Sequence, residues 1–224
     1  MVRAPGAGQW ERPVKVSAGP VTLEGILAVP PQAKGVVLFA HGSGSGRFSP
    51  RNNFVARVLQ NAGFATLLID LLTELEAQDR RLVFDIDFLT ERLLAATDWL
   101  RQEPETRGLP IGYFGASTGA AAALQAAARK PEAVRAVVSR GGRPDLASQF
   151  LSSVDAPTLL IVGGADYPVI PLNREAHKLL RAEKELTIIP GATHLFEEPG
   201  ALEKVAELAA RWFDRYLAGK KPTV

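Results

Sequence analysis

Short β-branched and apolar runs alternate with longer stretches of helical periodicity, and this alternation limits the chain to very few architectures. Gly35 to His41, "GVVLFAH", is continuously apolar, as expected of a strand covered on both faces. "FATLLID" ends at Asp70, "IGYFG" at Gly115, "AVRAVVSR" at Arg140, and "TLLIVGG" and "ELTIIP" follow. Helical patterns fill the gaps: Pro50 to Ala62, Asp85 to Gln102, the alanine-rich stretch after Gly119, and Ala201 to Leu217. Strand–helix alternation argues for an α/β fold with a parallel sheet and helices on both faces. "VKVSA" and "VTLEGILAVP" read as an antiparallel opening hairpin, which makes the sheet mixed.

The chain of 224 residues suits a single domain, 1–224, with room for a large core. No repeat, low-complexity segment or dividing linker interrupts it. On the last helix Leu202, Val205, Leu208, Ala209, Trp212, Phe213 and Tyr216 form one apolar stripe, read as core, although it fits a partner copy as well as the sheet.

Composition narrows the function classes. There is no cysteine, which excludes disulfides, thiolate nucleophiles and thiolate metal sites and suits a cytoplasmic protein. Net charge is +2, and the short tail "GKKPTV" reads as solvated, so no nucleic-acid partner is expected. No apolar run approaches roughly 18 residues, and the start "MVRAPGAGQWERPVKV" has no apolar leader, so neither a membrane span nor a secretory signal is expected.

The chemistry centres on Gly115-Ala116-Ser117-Thr118-Gly119, between a strand and a helix. A sharp turn there would lift the Ser117 hydroxyl above the sheet, near a helix N-terminus that favours negative charge. The same small residues would also suit a tight strand–helix contact, so the serine needs partners. A serine hydroxyl requires a base. His177 lies among charges in an amphipathic stretch and reads as a surface residue; His41, at a central strand end, reads as a structural hydrogen-bonding group. His194, in "PGATHLFEEPG", follows the last strand, where open α/β sheets bind ligands. It is the base by elimination and position. Asp166, past the penultimate strand, is the acid that would orient it. Asp145, after a strand end in "SRGGRPD", competes, whereas Asp155 precedes a strand and lies at the wrong end of the sheet. For the oxyanion, the backbone N–H groups of Thr118 and of Ser43, in "HGSGSGR", are the expected donors. That loop lacks the Lys-Ser/Thr of a phosphate loop and the spacing of a dinucleotide fingerprint.

With "HGSGSGR", "GASTGA", "SRGGRPDL", "GGADYPV" and "HLFEEPG" in this order, the chain resembles the dienelactone hydrolase-like group of the α/β-hydrolase superfamily. The resemblance implies an eight-stranded, mostly parallel sheet and a Ser-His-Asp site. The founding members use a cysteine nucleophile; here the elbow carries Ser117. That moves the expectation from dienelactone toward a serine carboxylic-ester hydrolase acting on small or medium acyl chains, with lactones or thioesters as further substrates and no cofactor or metal. Acyl transfer or perhydrolysis by the same triad, and a non-catalytic ligand-binding module, are the competing classes.

For the substrate, the gap between Arg140 and the next strand leaves no room for a large cap. Thr73 to Arg81 is the longest candidate flap. Leu71, Leu72 and Phe196 are candidates for an apolar wall. Arg47, Arg140 and Arg143 are candidates to bind a substrate carboxylate, or else to brace loops by pairing with Asp145, Glu197 or Glu198.

Overall fold

The computed structural model describes residues 10–219. The opening "MVRAPGAGQ", read as carrying no leader, and the basic end "KKPTV" lie outside the described residues. Eight strands form one sheet: β1 (Glu11–Ala18), β2 (Val21–Ala28), β3 (Val36–Ala40), β4 (Ala65–Ile69), β5 (Ile111–Ala116), β6 (Val134–Arg140), β7 (Thr158–Gly163) and β8 (Lys184–Ile189). Their spatial order is β1-β2-β4-β3-β5-β6-β7-β8. β1 pairs with β2 and β2 with β4 antiparallel; every later pairing is parallel. The central strands β3, β4, β5 and β7 are buried at every position, the consequence of helices on both faces.

Helices α1 (Pro50–Asn61) and α6 (Ala201–Leu217) cover one face. On the other lie α3 (Ile86–Gln102), α4 (Thr118–Arg129), α5 (Ile170–Leu179) and a 3-10 segment, Pro144–Ser153. The short helix α2 (Arg80–Val83) precedes α3. Alternating strand residues divide between the two cores: Leu38 packs toward α3 and α4, while Val37 and Phe39 pack toward α1 and α6. The α6 stripe is therefore core, with Trp212 donating its indole N–H to the Pro157 carbonyl at 3.2 Å. Helix starts follow their side-chain caps: Ser49 accepts from the Asn52 N–H ahead of α1, and Asp85 from the Phe88 N–H ahead of α3. No large cap interrupts the sheet; residues 141–157 between β6 and β7 hold only the 3-10 segment. Among the described residues no helix is long and apolar enough to cross a membrane.

Candidate active site

Ser117 sits between β5 and α4 with φ 52° and ψ −120°. A non-glycine residue held there carries roughly 1–3 kcal/mol of backbone strain, which the surrounding packing must hold in place. Two glycines make that packing possible. A Cβ on Gly115 would lie 2.5 Å from the Ala120 Cα, and one on Gly119 only 2.1 Å from the Ala40 carbonyl oxygen. Any side chain at either position would force α4 off the strand tips. The loop after β3 also closes in, since a Cβ on Gly42 would stand 3.1 Å from that of Ser117. Ser43 follows immediately. Thr118 opens α4, so its N–H has no intrahelical acceptor. Ser43 and Thr118 thus lie beside the elbow.

Asp166 and His194 meet because the tips of β7 and β8 touch. Gly163 approaches so closely that a Cβ there would fall 2.3 Å from the Ala192 carbonyl oxygen. Gly164 and Ala165 donate their N–H groups to the Ile189 and Ala192 carbonyls, at 2.8 and 2.9 Å. These contacts set the His194 loop on the Asp166 loop, and His194 Nδ1 stands 2.6 Å from Asp166 Oδ2. Asp166 is buried at 7% exposure, while the His194 side chain is 39% exposed. A carboxylate on Nδ1 keeps a proton there and leaves Nε2 as the free acceptor.

The 140–143 loop joins the two halves. Ser117 donates its N–H to the Arg140 carbonyl at 3.3 Å and accepts at its own carbonyl from the Arg143 N–H at 3.1 Å. Gly141 lies against the imidazole, for a Cβ there would be 3.5 Å from His194 Cε1. The structure brings Asp166 and His194 into a hydrogen bond; it forms none between His194 and the Ser117 hydroxyl. Such bonds are often loose until substrate tightens them.

Sequence reasoning did not find the clamp on the His194 loop. Glu198 accepts from the Thr193 N–H at 3.0 Å and from its hydroxyl at 2.6 Å, and these bonds hold its carboxyl below the usual carboxylate range. A Thr four residues before two glutamates is too common a pattern to have revealed it.

The other two histidines are accounted for. His41 accepts from the Leu71 N–H at Nε2 and donates from Nδ1 to the Gly42 carbonyl, each at 2.9 Å. Burial pushes its pKa below the ordinary value, so it is neutral at neutral pH. His177 lies half-exposed on α5.

Of the residues expected to contact substrate, Leu72 lines a cleft of about 780 Å³ that borders the site through Ser43 and Thr118. Leu71 and Phe196 do not form an apolar wall. Leu71 is fully buried in the α3–α4 core, where its N–H is tied to His41. Phe196, at φ 55°, turns inward into the α1–α6 core. The three arginines differ. Arg47 is clamped by Asp70 and Glu24. Arg143 lies along Asp145 in a two-bonded pair at 2.9 and 2.8 Å, which also engages the competing aspartate. Arg140 is buried against Asn52 and the Phe196 ring, on the face opposite α4. Among the described residues no group of three or more His, Cys, Asp or Glu side chains is placed to hold a metal ion.

The sequence pattern of the dienelactone hydrolase family matches residues 23–218. A Mycobacterium tuberculosis protein named "Putative phosphoribosyl transferase" is 59% identical over 210 residues, covering 94% of this chain and 47% of the relative. The chain thus spans about half the length of the curated relatives it matches. The crystal structure of dienelactone hydrolase from Anabaena variabilis is 61% identical, with a TM-score of 0.91 over 92% of this chain and 98% of that one. Est1E from Butyrivibrio proteoclasticus shares the fold at 17% identity, with a TM-score of 0.78 over 91% of this chain and 98% of that one. An eight-stranded sheet of matching shape and a family pattern over most of its length make this chain a member of the dienelactone hydrolase family.

Proposed function

We propose that the protein is a serine hydrolase of carboxylic esters, working through an acyl-enzyme on Ser117. The observation that carries the reading is a strained serine at a glycine-enforced elbow, together with a buried carboxylate hydrogen-bonded to a half-exposed imidazole on the adjoining loop. Strain of this kind persists where it serves a purpose, and here it exposes a hydroxyl at the mouth of the sheet. Membership of the hydrolase family and the 61% identical Anabaena enzyme support the same class. The phosphoribosyl transferase name belongs to chains about twice as long, of which the matched region makes up 47%.

In the proposed mechanism the Ser117 oxygen attacks the ester carbonyl carbon while His194 Nε2 takes its proton. Asp166 holds the imidazole in the required tautomer and stabilises its charged form. The carbonyl oxygen becomes an oxyanion held by the N–H groups of Ser43 and Thr118; in comparable sites one such donor is worth roughly 3 kcal/mol. His194 returns the proton to the departing alcohol, and the carbonyl re-forms as the C–O bond breaks. Water then attacks the acyl carbon as it gives a proton to His194, and His194 passes that proton to the Ser117 oxygen as the acyl–oxygen bond breaks and the acid leaves.

A fluorophosphonate should label the protein at Ser117, and Ser117→Ala should lose both labelling and hydrolysis of p-nitrophenyl esters. A folded protein that resists the probe, with a Ser117→Ala variant of undiminished esterase activity, refutes the assignment.

A further inference from the structure

The cleft beside the oxyanion residues has a charge pattern that bears on the substrate. Ser43 and Thr118 form its inner boundary. Its rim is apolar and open: Phe48 is 69% exposed and Leu75 78%, with Leu72 and Val83 beside them. The charged residues in its walls are Glu24, Arg47, Asp70 and Glu74, a formal sum of −2 from three carboxylates and one guanidinium.

That guanidinium is already engaged. Arg47 Nη2 contacts Glu24 at 2.5 Å, Nη1 is bonded to Asp70, and the Arg47 N–H reaches the second Asp70 oxygen at 2.5 Å. The Arg47 carbonyl accepts from the Asn53 amide at 2.8 Å, which fixes the backbone as well. Gly46 leaves the space that Asp70 fills, since a Cβ there would lie 2.6 Å from its carboxylate. A substrate carboxylate entering the cleft would have to displace two built-in ones, and His41, neutral at neutral pH, offers it no charge.

We infer that this cleft selects esters whose distal group is neutral and apolar or cationic, and discriminates against esters bearing a carboxylate. The inference rests on the ester-hydrolase reading and names the substrate class of that same site. Apolar groups gain by covering Phe48, Leu72 and Leu75. A cationic group meets the net negative wall favourably, and an anionic one meets it at a cost.

The test is a matched set of p-nitrophenyl esters whose acyl chains have equal length and end in methyl, trimethylammonium or carboxylate. At low ionic strength kcat/KM for the carboxylate ester should fall about tenfold or more below both others, and added salt should narrow the gap. Glu74→Gln should shrink it, and Arg47→Ala should widen it. A carboxylate ester turned over as fast as the methyl one at low salt overturns the inference, as does an Arg47→Ala variant that selectively loses the carboxylate ester. Should Arg47→Ala fail to fold, Glu74→Gln and the salt series still decide. Ser117→Ala separates the two readings: if it abolishes turnover of the whole set, a wrong charge order counts against the cleft alone. Turnover that survives it removes the hydrolase reading and this inference together.

Discussion

Two aspartates stand at the carboxyl edge of the same sheet and do different work. Asp70 follows β4 and holds the guanidinium of Arg47. Asp166 follows β7 and holds the imidazole of His194. Asp70 is the more exposed, 24% against 7% for the Asp166 side chain. The partner decides the outcome. A guanidinium keeps its proton throughout the usable pH range, so Asp70 can only brace a loop and shape a field. An imidazole changes protonation near neutrality, so a carboxylate fixed to one of its nitrogens governs what the other can accept.

Replacing both carboxylates by amides tests that contrast most severely. Asp166→Asn should lower kcat by about 10⁴, because an amide favours the wrong imidazole tautomer. Asp70→Asn should leave kcat for neutral esters far above that level while relaxing the bias against carboxylate esters. Steady-state kinetics on the two variants would break the contrast if both fell equally.

The second comparison sets Arg47 against Arg140. Among the described residues Arg140 has no carboxylate partner; its Nε is buried without a hydrogen bond, and burial, then the charge of Arg51, pushes its pKa down to about 10. It stays charged at neutral pH in a site that disfavours charge. Arg140→Met should therefore keep stability or raise it, by up to about 1–4 kcal/mol in urea unfolding. Arg47→Met should destabilise instead, since it strands Asp70 and Glu24 beside each other. Equal losses in the two variants would mean that burial, not pairing, governs both.

The smallest effect concerns His41, whose folded pKa lies below its unfolded one because of burial. A depressed histidine binds fewer protons folded than unfolded, so its contribution is complete above the unfolded value, about 6.5, and is lost as pH falls below it. Thermal unfolding between pH 7.5 and 5.5 should show this decline, and His41→Gln should flatten it.

Much of this was legible in the sequence for identifiable reasons. The Ala201–Leu217 helix was bounded by its apolar stripe, and helical spacing from Asp85 to Gln102 anticipated α3, which the structure starts at the Asp85 cap. The elbow announced itself because glycine is required on both sides of Ser117, and the resemblance implied the eight strands the sheet contains. What stayed hidden depended on contacts distant in sequence. Nothing near Arg47 shows that Asp70 will reach it across 23 residues. The insertion of β4 between β2 and β3 is likewise a choice of neighbours, not of periodicity. The inward turn of Phe196 depends on a positive φ that sequence pattern does not disclose. The direction of Arg140 was readable in principle, because Ala136 and Val138 on the same strand parity face α1 and α6.

The meeting of the β7 and β8 tips at Gly163 and Ala192 carries a consequence for biosynthesis. Ser117 leaves the ribosome long before residue 194, and the acid–base pair cannot assemble until the final strand has docked at the sheet's far margin. Under the proposed mechanism a nascent chain is chemically silent until β8 and the loop after it have been made, so reactivity arrives together with the completed sheet.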